Sequence, residues 1–128
     1  MTSKVIVISE KSYNLAEVEG HVHNIFTELD IFNKLKDKKR ILLKPNLLGA
    51  HHPDKAVTTH PVIIEAVIKN LSSFNGEIFV GDSPGGTVSI SQVWKQTGIK
   101  ELCEKYNVKL AEFGKDGIET VKVLGFNI

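Results

Sequence analysis

RILLKPNLLGAHHPDKAVTTHP, residues 40–61, changes character twice along its length. It opens with Ile41-Leu42-Leu43, a short apolar run that suits a strand buried in a parallel sheet. Pro45 cannot donate to a ladder, so the strand ends there. A long polar segment follows, carrying Lys44, Asn46, Gly49, His51, His52, Asp54, Thr58, Thr59 and His60. At Pro61, a residue suited to a first helical turn, a new helix begins. The same grammar recurs downstream. Ile78-Phe79-Val80 is apolar and Gly81-Asp82-Ser83-Pro84-Gly85-Gly86-Thr87 is a glycine-rich polar loop. Two such strand ends are expected side by side at one rim of a sheet.

Outward from these stretches, strand and helix patterns alternate. Lys4–Ser9 is rich in β-branched residues and reads as a central first strand. Asn14, with Glu17 three residues later, marks a helix start, and the apolar residues from Val18 to Phe32 recur at helical spacing, to an end near Leu35. Thr58 or Thr59 can cap the helix that buries Ile63, Ile64, Val67, Ile68 and Leu71, and Asn75-Gly76 stops it. Ser89 or Ser91 opens a short helix with Val93 and Trp94, stopped at Gly98. Residues 99–106 form another, with Ile99, Leu102, Cys103 and Tyr106 on one face. Val108–Glu112 reads as a fourth strand and Glu119–Leu124 as an edge strand. This order predicts an α/β, three-layer, Rossmann-like fold with a mostly parallel sheet and flanking helices. The 128 residues make one domain. The chain stops within hydrophobic sequence, so it is expected to be a fragment of a longer protein or to pair its last strand with something else.

The composition excludes several classes of function. A net charge of +1 supplies no field for nucleic acid or an anionic membrane. The basic run Lys36–Arg40 joins a helix to a strand and reads as a solvated connector. Cys103 is the one cysteine, so neither a disulfide framework nor a cysteine metal cluster exists within the chain. On its helix face it is a packing thiol. Val5–Ile8 is too short to span a membrane, and no small-residue cleavage site follows it. The cytoplasm is the expected compartment.

Ligands of parallel α/β sheets bind outside the carboxyl ends of the strands. That rule groups Lys44 and Asn46 with the loop 81–87. Gly81, Gly85 and Gly86 permit close backbone approach and positive φ, Ser83 and Thr87 offer hydroxyl groups, and a helix follows. Together they suit a small anion or a phosphorylated ligand. Thr58, Thr59 and His60 flank the site. Lys44 and Asp82 are the candidate catalytic pair. A lysine simply paired with Asp82, in a turn where Asp82 satisfies local N–H groups, is the plainer reading. The loop matches neither the dinucleotide nor the P-loop fingerprint, and the cofactor is unassigned. His51, His52 and His60, with Asp54 or Asp82, invite a metal, but no recognised ligand spacing is present. His21 and His23 lie two apart on a helix and read as surface residues.

LLKPNLLG, KAVTTHPVIIEAVI, IFVGDSPGG and TGIKEL, in this order and spacing, resemble domain-of-unknown-function family 362. Members of that family are generally longer, and many carry a ferredoxin-like segment with two cysteine-rich iron–sulfur motifs toward the C-terminus. The resemblance implies that this chain is the N-terminal portion, with clusters supplied elsewhere. The layout is also distantly similar to nickel-pincer lactate racemases. The expected function is a small-anion half-site in an iron–sulfur-linked enzyme. The alternatives are metal-assisted chemistry at the loop histidines, or an interaction module completed by a C-terminal half.

Overall fold

The computed structural model describes residues 3–85 and 88–113. Three strands, β1 (Arg40–Leu43), β2 (Glu77–Val80) and β3 (Lys109–Leu110), form a parallel open sheet in the order β1-β2-β3. Five helices join them: α1 (Leu15–Glu28), α2 (Ile31–Leu35), α3 (Pro61–Asn70), α4 (Ile90–Gln96) and α5 (Ile99–Tyr106). This is a mixed α/β architecture consistent with the Rossmann-like class expected from the sequence.

Strand alternation sorts the sheet into two unlike faces. Ile41, Leu43, Ile78, Val80 and Leu110 face the helices. Leu47, Ile64, Ile68, Val80, Val93, Trp94, Ile99, Leu102 and Cys103 close the main core on that side. Arg40, Leu42, Glu77, Phe79 and Lys109 point the other way, and that face stays open among the described residues. Leu42 is 49% exposed there. Lys109 pairs with Glu77 and lies over the Phe79 ring. The described residues thus show two of the three expected layers.

Local chemistry accounts for the helix boundaries. The Asn14 side chain accepts from the amides of Ala16 and Glu17 and starts α1. Val18 and Val22 then bury against Ala66 of α3. The expected single helix to Leu35 is broken at Asp30, which adopts the left-handed conformation at φ 55°. Aspartate tolerates that region better than most residues. Gly98, at φ 76°, turns the chain between α4 and α5. Glu65 of α3 accepts from Lys105 at 2.6 Å and from the Tyr106 hydroxyl at 2.7 Å, which ties α3 to α5.

Two of the expected strands need adjustment. Lys4–Ser9 does not join the described sheet: it has no ladder partner, with Val5 80% and Val7 88% exposed. β-propensity alone makes no strand without a ladder partner, and the ends of this segment are tied to α1 instead, Lys4 to Glu28 and Glu10 to His21. The strand expected over 108–112 is shorter, Lys109–Leu110. Glu119–Leu124 lies outside the described residues.

Leu47 is fully buried while its neighbour Leu48 is 55% exposed. Leu47→Ala is expected to lower the unfolding free energy by about 2–5 kcal/mol, and Leu48→Ala by less than about 0.5 kcal/mol. Urea denaturation checks this, and equal effects would contradict the assigned core.

Candidate functional site at the carboxyl rim of the sheet

Leaving β1 and β2, the chain meets itself at Asp82. The carboxylate is buried, at 6% exposure. One oxygen lies 2.6 Å from the Lys44 ammonium. The other accepts the Leu47 amide at 2.7 Å, and the Ser83 amide also donates to the group. Burial pushes this carboxyl up, but the Lys44 ammonium and the two amides outweigh it and hold the group below the ordinary aspartate value. The Lys44 side chain is 61% exposed. A buried carboxylate therefore holds a lysine whose charge remains open to solvent.

The long loop after β1 is closed at its base. The Asn46 amide donates to the Thr59 hydroxyl at 2.9 Å, and the Thr59 amide donates to the Asn46 carbonyl at 2.8 Å. Leu47 and Thr58 form an antiparallel bridge. Thr58 is buried and its hydroxyl has no partner. Neither threonine caps α3. That role falls to His60, whose Nδ1 accepts the Val62 amide at 3.3 Å. Its ring stacks on Tyr13, centroids 3.7 Å apart and planes at 9°. Residues 46–59 thus leave the rim and return to it within one backbone clasp.

The glycine-rich loop is divided. Gly81 donates its amide to the Leu43 carbonyl at 3.1 Å, as a continuation of the sheet. A Cβ there would sit 2.8 Å from Ala111, so the close approach that requires glycine is to the residue that follows β3. A Cβ at Gly85 would meet open space. Among the described residues the glycine with positive φ is Gly98, not Gly81 or Gly85. Ser83 is exposed, and Gly86 and Thr87 lie outside the described residues. A cleft of about 300 Å³ opens here, lined by Asp82, Ser83, Pro84, Val88, Ile90, Glu112 and Phe113.

The expected site residues therefore fall into two groups. Lys44, Asn46, Thr58, Thr59, Asp82 and Ser83 are joined through the Asp82 carboxylate and the loop base. Of the loop histidines, His51 turns its ring toward Gly49. His52 pairs through Nδ1 with Asp54 at 3.1 Å, both exposed. Among the described residues no three His, Cys, Asp or Glu side chains are grouped to hold one metal ion. Cys103 is buried, and burial raises its thiol to about 11. Sequence reasoning missed the Leu47 amide and the Tyr13–His60 stack. The first is a backbone donor that no residue type announces, and the second joins segments far apart in the chain.

Burial lowers the pKa of His60 below 6.5; Asp54 works against this shift, and His52 adds to it. The cap also requires an unprotonated Nδ1. The unfolded chain then binds the proton more readily, so His60 stabilises the fold above about pH 6.5 and loses that contribution as pH falls through its folded value. His60→Asn keeps a capping oxygen without the titration. Denaturation midpoints are expected to fall more steeply for the parent than for His60→Asn between about pH 7.5 and 5. Parallel curves would contradict the assigned cap.

No solved structure shows significant similarity to the chain. A thylakoid-associated protein of Synechocystis sp., sll1697, is 28% identical over 114 residues, covering 88% of this chain and 35% of that protein. The chain thus spans about a third of the length of this curated relative. No helix among the described residues is long and apolar enough to cross a membrane. Residues 41–127, from β1 onward, match the domain of unknown function DUF362. The match takes in the Lys44–Asp82 pair, the loop clasp and the glycine-rich turn, and the chain belongs to the DUF362 family.

Proposed function

We propose that the carboxyl rim is a binding half-site for a small phosphorylated or carboxylated molecule. The observation that carries this reading is the Lys44 ammonium, held by buried Asp82 yet 61% exposed. Asp82 takes one of its three donors, and the others suit an anionic oxygen. Ser83 and Gly85 border the same rim, with Asn46, Thr58, Thr59 and His60 behind the loop base. Asp82 and Glu112 in the cleft wall oppose a bare anion, so the fitting ligand also carries hydroxyl groups that donate to a carboxylate. In a longer protein Lys44 and Asp82 are the candidates for acid–base chemistry. Iron–sulfur clusters, if the activity uses them, come from other cysteines than Cys103. The cytoplasm is the proposed compartment, and the name of the Synechocystis relative adds the thylakoid as a place to look.

A second reading, an interaction module, is favoured by the open sheet face, where Leu42 is 49% exposed beside Phe79. There the remainder of a longer protein would supply the cover.

Glycerol 3-phosphate and inorganic phosphate, titrated into the isotope-labelled chain, separate these readings. Saturable amide shifts at Ser83, Gly85 and Lys44 are expected, tighter for the hydroxylated ester. Lys44→Gln is expected to weaken binding about tenfold or more, the loss of one charge-assisted hydrogen bond. Shifts that never saturate, or that Lys44→Gln leaves unchanged, would remove the anion reading.

A further inference from the structure

The segment before α1 is fastened to that helix at two points. The Lys4 ammonium pairs with the Glu28 carboxylate and donates to the Glu28 carbonyl at 3.1 Å. Glu10 pairs with His21 at 3.0 Å. A cleft of about 690 Å³ lies between the segment and the helix.

Ile6, Ile8, Val18, Val22, Ile25 and Ile63 wall this cleft. Ile6, Ile8, Ile25 and Ile63 are half-buried, so apolar surface is left for an occupant to cover. Well-packed interiors leave few voids larger than a water molecule. A cleft of this size, mostly apolar and bordered by a few polar groups, has the proportions of a small-molecule site. It shares no lining residue with the rim cleft beside Asp82.

The polar groups of the cleft gather where the segment meets His21. Glu10 is satisfied there. One of its oxygens accepts the amides of Lys11 at 2.6 Å and Ser12 at 2.8 Å, and the other faces His21. The Tyr13 ring borders the cleft and is held by its stack on His60. Lys11 is the charge left over: among the described residues its ammonium has no partner. The cleft therefore combines an aliphatic body with one unmatched positive charge at its polar end. The complementary occupant has a single anionic head and an aliphatic tail.

We propose that this cleft binds a free medium-chain carboxylate, with the tail along Val18, Val22, Ile25 and Ile63 and the carboxylate at Lys11. Residues 4–9 act as a strap that covers the tail through Ile6 and Ile8, and the two ion pairs with α1 set the width beneath it. The site is distinct from the rim and stands whether or not the rim binds an anion.

Octanoate, nonanoate and decanoate, each kept below its micelle concentration, are titrated into the isotope-labelled full chain and followed by NMR. Saturable shifts are expected at Ile6, Ile8, Lys11, Val22 and Ile25. Affinity is expected to rise about fourfold for each added methylene, as each leaves water for the aliphatic wall. Lys11→Gln is expected to weaken decanoate about threefold and to leave decan-1-ol, which has the same tail and no charge, unchanged. Lys11 is exposed, so this substitution leaves the packing of the fold intact. Shifts that never saturate would overturn the proposal, as would saturable shifts at Ser83 and Lys44, or at Leu42 and Phe79, in place of the cleft. So would an affinity independent of tail length, or an equal response of decanoate and decan-1-ol to Lys11→Gln.

Discussion

The Asp82 carboxylate is the point on which the rim depends. It is buried, it follows a strand, and it is satisfied by groups from two chain segments: the Lys44 ammonium and Leu47 amide on one side, its neighbour Ser83 on the other. A buried carboxylate without such partners would take up a proton or disrupt the turn. With them it fixes the distance between the end of β1 and the end of β2. The fully buried Leu47 enters the core beside Val80 because its amide is held there. The same interaction thus supports the hydrophobic core and presents Lys44 to solvent.

Around this point the loop after β1 behaves as a closed excursion. Two hydrogen bonds between Asn46 and Thr59 and the Leu47–Thr58 bridge seal its base. His60 then starts α3, with Pro61 in the first turn. The loop histidines are accordingly divided between capping, a surface pair with Asp54, and a contact with Gly49, rather than gathered on one centre. Buried Thr58 sits within the clasp with an unpartnered hydroxyl. It is the one polar group of the rim whose role the described contacts do not explain.

Much of this was legible from residue order. Ile41–Leu43 and Ile78–Val80, each followed by a polar loop, announced two adjacent parallel strands with Lys44 and Asp82 at one rim, because strand period and proline and glycine punctuation are local signals. The plain reading of Asp82, as an acceptor for local amides and a partner for Lys44, matches the contacts seen. Other features were not legible. Asp30 interrupts a helical pattern whose apolar spacing runs on past it. Thr59 resembles a cap but serves the loop base, a choice made by the tertiary position of Asn46. Gly81 resembles a ligand-facing glycine, yet its close neighbour is Ala111 of the third strand's extension. In the last two cases a contact between distant segments overrode a sound local preference.

The central claim is that Asp82 is an ionised clamp, and its titration in the folded chain tests this most directly. A carbon-detected NMR titration of the Asp82 carboxyl is expected to give a midpoint below the ordinary value of about 3.9, moving upward in Lys44→Met as one charged partner is lost. A midpoint at or above the ordinary value in the parent chain would mean that burial dominates, that the Lys44 pair does not hold Asp82 in solution, and that the rim is organised by something else.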